Sequence, residues 1–330
     1  MTNLKLPRRK FLHLAAISVA SVVLVALSRQ GSLAQTTRSI RLVVPYAAGG
    51  VGEAMSRLLA DQISRTGGPR FLIESRPGAG TVLATDAVSR AAPDGNTILL
   101  VGNSFVINPH VRKLAYHPLT SFEPICYLCR SPAVIAVNSA SPYRTLTDLL
   151  GAARAKPGAL TMGASGPLTG FHIGFERLKQ AANIEMTFVP FGGTAPAVNA
   201  LLGEHVTSIF GDYSIVTEHL KAGKLRALAT ALGTRAEPLP DVPTVAESGF
   251  DSYEADIWYG LVVPAKTEKE KIVELTNWVT SAMRDPEVRS KFVAVGLYPV
   301  VLCGAEFGAH IRRQYEEYGR VIRSANIKAE

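Results

Sequence analysis

The chain has 330 residues, of which 19% are charged, and a formal net charge of +8 at neutral pH. Five basic residues and no acidic residue lie in the first 34 positions, which leaves a net charge of +3 for the rest. That charge is small and forms no basic run with interleaved aromatic residues, so the composition argues against a nucleic-acid-binding protein. Beyond position 34, no apolar run reaches the roughly 20 residues of a membrane-spanning helix.

The N-terminal segment 1–34 has the pattern of a secretory signal. A basic patch precedes an almost wholly apolar run over 11–27, and small residues at positions 32 and 34 match the preference of a signal peptidase. The pair Arg8-Arg9 fits the twin-arginine export route. An uncleaved membrane anchor is the alternative, because the apolar run is only slightly shorter than a spanning helix. We predict cleavage near Ala34/Gln35 and a mature chain that lies in the periplasm.

The remaining sequence alternates short apolar runs with helical patterns, from a strand at 40–45 and a helix at 51–65 onward. This alternation predicts an α/β fold in which mostly parallel sheets are flanked by helices. About 300 residues exceed the usual size of a single hydrophobic core, so we expect two lobes. We place the crossings near Asn138 and Leu261. Lobe 1 then comprises 35–137 plus 261–330, and lobe 2 comprises 138–260.

Loops rich in Gly, Ser, Thr or Asn follow six of the predicted strands. Ligands of open α/β sheets bind beyond the carboxyl ends of the strands. Glycine lets backbone N–H groups approach a ligand closely, and helix N-termini attract anions. Turns alone explain any single loop of this kind, but the set of six predicts a site for a small anion. The loops begin at Tyr46, Gly78, Gly102, Ser165, Phe191 and Gly211.

Enzymatic alternatives fit the sequence less well. The run Gly49-Gly50-Val51-Gly52 follows a strand and opens a helix, as in dinucleotide-binding proteins, but Met55 replaces the third glycine. Because the motif is matched in part, an exported oxidoreductase with a nucleotide cofactor is the alternative function. Ser165 lacks the second glycine of a nucleophile elbow, and no cluster has metal-ligand spacing. We expect no catalysis, no cofactor and no metal.

The three cysteines allow two interpretations. Cys126 and Cys129 have the spacing of a redox pair, and an oxidising compartment would permit a disulfide. They lie in a predicted strand, however, where residues three apart point to opposite faces. We therefore expect buried small side chains, with a disulfide or a redox site as the alternative.

Several longer motifs lie along residues 40–321. The most specific is Leu239-Pro-Asp-Val-Pro-Thr-Val-Ala-Glu247. Further motifs are Val44-Pro-Tyr-Ala-Ala-Gly-Gly50, Glu74-Ser-Arg-Pro-Gly-Ala-Gly80, Gly163-Ala-Ser-Gly166, Val189-Pro-Phe-Gly-Gly193 and Trp258-Tyr-Gly-Leu-Val-Val-Pro-Ala265. In these motifs the chain resembles the Bug family, the receptors of tripartite tricarboxylate transporters.

This resemblance implies a two-lobed periplasmic-binding-protein fold of the Venus-flytrap kind, type II-like, without catalysis. It implies a small carboxylate held between the lobes and delivered to a membrane permease; a ligand-binding module that feeds a sensor protein is the alternative. Carried over onto this sequence, the ligand-binding residues are Tyr46, Ala47, Gly49, Gly50 and Ser104 in lobe 1, and Ser165, Thr169, His172, Gly192, Thr194 and Asp212 in lobe 2. His172 could equally serve the cap of its own helix.

Two departures from the family pattern bear on the ligand. The first-lobe loop continues as Val51-Gly52-Glu53, where the family has a hydroxyl residue followed by aspartate. The loop after Gly80 continues as Thr81-Val82-Leu83, where the family has Gly-Asn. Both changes remove polar groups near the lobe 1 side, so the family's usual dicarboxylate specificity does not carry over directly, and a more apolar or aromatic acid is allowed.

Overall fold

Eleven strands and ten α-helices alternate along residues 39–46 and 48–328, the part of the chain that the computed structural model describes. The predicted signal over 1–34 and its cleavage site lie outside the described residues. The strands are β1 Ser39–Val44, β2 Arg70–Ser75, β3 Thr97–Gly102, β4 Phe122–Ser131, β5 Ala133–Asn138, β6 Thr161–Ser165, β7 Thr187–Phe191, β8 Ser208–Asp212, β9 Leu225–Thr230, β10 Ile257–Pro264 and β11 Tyr298–Cys303.

The helices pack on both faces of the sheets. They are α1 Val51–Arg65, α2 Val82–Ser89, α3 Asn103–Ile107, α4 Leu146–Ala155, α5 Gly170–Ala182, α6 Thr194–Leu202, α7 Tyr213–Lys221, α8 Lys269–Arg284, α9 Pro286–Ala294 and α10 Ala305–Ser324, with short 3₁₀ turns at Ala79–Thr81 and Asn108–His110. No helix in the described ranges is long and apolar enough to cross a membrane.

The strands form two separate sheets. One has six strands in the order β11-β4-β10-β3-β1-β2, and the other has five in the order β7-β6-β8-β5-β9. We call the first sheet with its helices lobe 1, and the second with its helices lobe 2. The predicted α/β fold with two lobes is confirmed, but each sheet is mixed rather than mostly parallel. In both, three neighbouring strands are parallel and the strand next to them is antiparallel.

Both sheets share one pattern of strand order. Three parallel strands lie side by side, in the order β2-β1-β3 in lobe 1 and β7-β6-β8 in lobe 2. The next strand is the one that follows a crossing from the other lobe, β10 in lobe 1 and β5 in lobe 2, and beyond it lie β4 and β9. β10 and β5 are each antiparallel to the strands on their two sides.

This pairing moves both predicted crossings toward the N-terminus. β5 pairs with β8 and β9, so the first crossing lies at Pro132, between β4 and β5, and not near Asn138. β10 begins at Ile257 and pairs with β3 and β4, so the return crossing precedes Ile257 rather than Leu261. An apolar run identifies a strand, but the partner that assigns it to a sheet lies far away in sequence.

Apolar periodicity explains how the elements pack. β3 is buried along its whole length, as expected for a strand covered on both faces. Met55, Leu59 and Ile63 recur at helical spacing on α1 and are all fully buried against lobe 1. Leu168 and Ile173 of lobe 2 join a core cluster that otherwise belongs to lobe 1. The two lobes therefore share apolar contacts as well as their connections.

Cys126 on β4 forms a disulfide with Cys303, its directly paired neighbour on β11. Cys129 is free and buried. Both Cys126 and Cys129 are buried, as expected, but Cys126 is also bonded, and the disulfide does not join the closely spaced pair. The bond ties the edge strand β11 to lobe 1.

Candidate functional site

The carboxyl ends of the parallel strands in the two lobes face each other. Asn103 directly follows β3 in lobe 1, and Gly170 starts α5 after β6 in lobe 2. A Cβ placed on Gly170 would lie 2.9 Å from Asn103 Cγ and 2.7 Å from Ile257 Cδ1, so only glycine fits here without movement. The predicted location of the site, beyond the carboxyl ends of the strands, therefore corresponds to the boundary between the lobes.

Asn103 fixes this boundary through three hydrogen bonds. Its Nδ2 donates to the Asp256 carbonyl at 3.0 Å and to the Tyr318 hydroxyl at 2.6 Å, and its Oδ1 accepts from the Trp258 N–H at 3.2 Å. Asn103 is buried, so these bonds satisfy a polar side chain that would otherwise be costly to bury. The neighbouring Ser104, a predicted ligand-binding residue, is half-buried, and its hydroxyl has no partner among the described residues.

The lobe 1 wall is aromatic. Tyr46, a predicted ligand-binding residue, packs edge-on against Tyr259 of β10 with 6.1 Å between ring centroids. Burial raises the pKa of both phenols, and the Tyr46 phenol and the Asp212 carboxylate raise that of Tyr259 further. Both hydroxyls therefore stay neutral, and neither has a hydrogen-bond partner in the described part of the chain. Tyr259 is not among the residues predicted from sequence, although it lies within the family motif that begins at Trp258.

The loop before α1 holds three of the predicted residues. Ala47 lies outside the described residues, and Gly49 and Gly50 are exposed. Gly50 precedes α1 and gives it no side-chain cap. The Gly49 N–H donates to the carboxylate of Glu53 at 2.8 Å, so a side chain of α1 itself already binds this backbone group.

Ser165 and Thr169 flank the loop between β6 and α5. Thr169 caps α5, because its Oγ1 accepts from the His172 N–H at 3.3 Å and donates to the Ser165 carbonyl at 2.8 Å. The Thr169 hydroxyl is therefore engaged within its own loop. The half-buried Ser165 hydroxyl has no partner in the described ranges and is free to donate to a ligand.

His172 is engaged within α5. Its Nδ1 accepts from the Leu168 N–H at 3.3 Å, its Nε2 lies 3.9 Å from Glu176, and its ring stacks on Phe188 at 4.2 Å. Burial, with a smaller effect of Lys179, lowers the pKa of His172 to about 4. The ring is thus neutral at physiological pH and supports the helix cap, the second of the two roles that the sequence allowed.

The first turn of α6 offers backbone donors. Gly193 precedes this helix without a side-chain cap, and the N–H groups of Gly193 and Thr194 have no acceptor among the described residues. Gly192 is exposed, whereas Thr194 is buried and its Oγ1 accepts from the Asp212 N–H at 3.3 Å. The first N–H groups of a helix attract anions.

Asp212 serves the structure at the end of β8. Its Oδ1 accepts from the Ser131 hydroxyl at 2.9 Å, and from the Ser214 N–H and hydroxyl at 2.9 and 2.7 Å. Ser131 belongs to lobe 1, so this carboxylate ties the lobes together and also caps α7. Burial raises the pKa of Asp212, and these hydrogen bonds counteract the rise.

The predicted residues therefore fall into two groups. Free donors or hydroxyls are present at Tyr46, Ser104, Ser165 and the 192–194 turn, whereas Thr169, His172 and Asp212 have partners within the protein. No group of three or more His, Cys, Asp or Glu side chains within the described ranges could hold a metal ion. The boundary can thus recognise a ligand through neutral hydroxyls and backbone N–H groups.

Two lobes with a donor-lined boundary are typical of the class of solute-binding proteins. Residues 55–327 match the model of the tripartite tricarboxylate transporter family receptor, TctC. A Cupriavidus necator protein, described as the UPF0065 protein in the gbd 5' region, is 31% identical over 304 residues, 91% of this chain and 92% of its own length. The chain therefore belongs to the TctC receptor family.

Solved structures agree with this assignment. The periplasmic binding protein BugD is 29% identical, with a TM-score of 0.75, over 89% of this chain and 99% of its own. An R. palustris protein with adipate is 27% identical, with a TM-score of 0.78, over 89% and 99%. MatC from Rhodopseudomonas palustris with bound malate is 25% identical, with a TM-score of 0.72, over 87% and 99%.

These relatives confirm the predicted family, and with it a solute-binding receptor rather than an enzyme. They also imply an extracytoplasmic location. The alternative of an exported oxidoreductase is set aside, because the family consists of receptors.

Proposed function

We propose that this receptor binds a small carboxylate between its lobes and delivers it to the permease of a tripartite transporter. The uncapped first turn of α6 carries the proposal, because its free N–H groups stand where a helix attracts a carboxylate. Family membership supports the proposal, and the relatives with adipate and malate are carboxylate complexes.

The recognition we propose uses both lobes. In lobe 2, the carboxylate accepts from the N–H groups of the 192–194 turn and from the Ser165 hydroxyl. In lobe 1, Tyr46 and Tyr259 contact the body of the ligand, and Ser104 donates to any polar group that it carries. Thr169, His172 and Asp212 hold these loops in place without touching the ligand.

A thermal-shift screen of organic acids tests the proposal. A ligand at 100 times its Kd stabilises the folded state by about 2.7 kcal/mol, which gives a readily measured shift. We expect shifts with carboxylates and none with sugars or inorganic cations. The opposite pattern would exclude an anion site.

The variant Ser165→Ala tests whether the acid binds at the Ser165 hydroxyl on the boundary between the lobes. Loss of a hydrogen bond to a charged group costs about 1.5–3 kcal/mol, so affinity for the acid should fall about ten- to a hundredfold. Unfolding should be unchanged, because the Ser165 hydroxyl has no protein partner in the described ranges. Ser64→Ala, on the exposed surface of α1, is the matched control and should bind as the unmodified protein does. An unaltered affinity in Ser165→Ala would remove that hydroxyl from the site.

A further inference from the structure

Glu53 places a fixed negative charge at the N-terminus of α1. Its Oε2 accepts from the Gly49 N–H at 2.8 Å, and its Oε1 accepts from Arg57 Nε at 2.9 Å. The Glu53 side chain is only 12% exposed, so these contacts hold it against the helix. The end of α1 thus carries its own anion, unlike the end of α6.

This carboxylate is ionised at neutral pH. The Gly49 N–H, and then the hydrogen bond from Arg57, lower the pKa of Glu53 below its usual value. The positive charge of Arg57 is engaged with Glu53 and leaves no net positive charge for a ligand. Arg76, in the loop after β2, is exposed, so solvent and salt screen its charge.

The rest of the lobe 1 wall is uncharged. Tyr46 and Tyr259 present neutral rings and hydroxyls, as burial raises the pKa of both phenols. Such a surface suits an apolar or aromatic body with at most a neutral polar group. A second carboxylate here would lose its hydration, and the Glu53–Arg57 pair would offer it no net positive charge in return.

We propose that Glu53 makes this receptor selective for monocarboxylates, by accepting from the Gly49 N–H and neutralising Arg57, so that the N-terminus of α1 offers a second carboxylate no free cation. This inference rests on the proposed function, since it presupposes that the 192–194 turn binds the first carboxylate. The inference specifies the number of negative charges on the ligand. Family membership alone does not specify this number, because solved relatives contain the dicarboxylates adipate and malate.

Two pairs of acids with matched skeletons test the selectivity: hexanoate with adipate, and benzoate with terephthalate. Calorimetry should show that the monocarboxylate of at least one pair binds ten or more times tighter than its dicarboxylate, because a second carboxylate would lose its hydration without gaining a cation. Dicarboxylates that bind equally well or better would overturn the inference and leave the proposed function standing. Absence of binding by all four acids, together with an empty organic-acid screen, would overturn both.

Glu53→Gln isolates the role of the charge. Glutamine keeps an oxygen that can accept from the Gly49 N–H but removes the negative charge. The preference for the monocarboxylate should fall about tenfold, through tighter binding of the dicarboxylate, while the monocarboxylate affinity changes by less than about twofold. Glu287→Gln is the matched control, since Glu287 also pairs with a residue four positions on, Lys291, but lies on α9. An unchanged preference in Glu53→Gln, or an equal change in Glu287→Gln, would overturn the role of Glu53.

Discussion

Arg177 on α5 and Glu317 on α10 form an ion pair, with 2.6 Å between Nη2 and Oε1. The Arg177 guanidinium also lies over the Tyr253 ring, 5.2 Å from its centroid. One helical turn further along, Gln180 of α5 donates to Ser324 of α10 at 2.9 Å. Because α5 belongs to lobe 2 and α10 packs on lobe 1, these contacts tie the lobes together outside the proposed ligand site.

Glu317→Gln tests the contribution of this ion pair. Both side chains are largely shielded from solvent, 13% and 27% exposed, so the loss should fall between those of surface and buried pairs, about 1–2 kcal/mol. Urea unfolding measures it. Glu316→Gln makes the same change at the adjacent exposed position and should alter stability by less than about 0.5 kcal/mol. Equal stability of the two variants would show that the pair contributes nothing.

Replacing Cys126 and Cys303 together by serine should lower the free energy of unfolding by about 2–5 kcal/mol, because the bond closes a loop of 177 residues in the unfolded chain. A reductant should destabilise the natural protein by a similar amount and leave the double variant unaffected. Under non-reducing unfolding, a thiol reagent should find one thiol per chain, that of Cys129. Three reactive thiols would show that the disulfide is absent.

Asp256 gives the stability of the protein a specific dependence on pH. Burial, and then the neighbouring Glu254, raise the pKa of this carboxyl to about 6, while the Tyr127 hydroxyl donates to it at 3.1 Å. The folded protein therefore takes up a proton near pH 6, whereas the unfolded chain does so only near pH 4. This group destabilises the folded state above pH 6, and the penalty is relieved as the pH falls.

Asp256→Asn should be more stable, relative to the natural protein, at pH 7.5 than at pH 4.5, by about 2 kcal/mol. The comparison between the two proteins is needed because His172 and His310, whose pKa values burial lowers to about 4, act in the opposite direction. These histidines are the same in both proteins, so their effect cancels. A stability difference that does not vary with pH would contradict the raised pKa of Asp256.

Gly170→Ala should disturb the boundary between the lobes. The added methyl group would lie within 3 Å of Asn103 and Ile257, and such overpacking costs about 1–3 kcal/mol. Gly151→Ala is the control, because Gly151 is exposed on α4 with open space around it. That change should stabilise the protein by about 0.5–1 kcal/mol. Calorimetry on both variants should show stability changes of opposite sign. An unchanged stability in Gly170→Ala would mean that the packing between the lobes accommodates the added methyl group at little cost.

Local pattern predicted most of the fold. The apolar spacing on α1 and the continuous apolar run of β3 each predicted the element and its buried side. β11 was missed, because Pro299 lies near its start and the strand is only partly buried. Proline is tolerated there because β11 is an edge strand, which local sequence does not reveal.

The loops of the site were predictable, but not the partners of their side chains. Glycine-rich stretches after strands predicted a site beyond the strand ends, which lie at the boundary between the lobes. The cap positions of Thr169 and Asp212, directly before helices, were a signal that these residues serve the structure. No local sequence signal could predict the disulfide between Cys126 and Cys303 or the contact between Tyr46 and Tyr259, since each pair is separated by more than 170 residues.

The place of β10 between β3 and β4 sets an order of events during synthesis. All five strands of lobe 2 lie within the contiguous segment 133–230, so that sheet is fully encoded before β10 leaves the ribosome. Lobe 1 at that moment consists of a three-stranded piece and an isolated β4 without their common neighbour. The sheet of lobe 1 can therefore be completed only after β10 has been synthesised, whereas the sheet of lobe 2 can form before that.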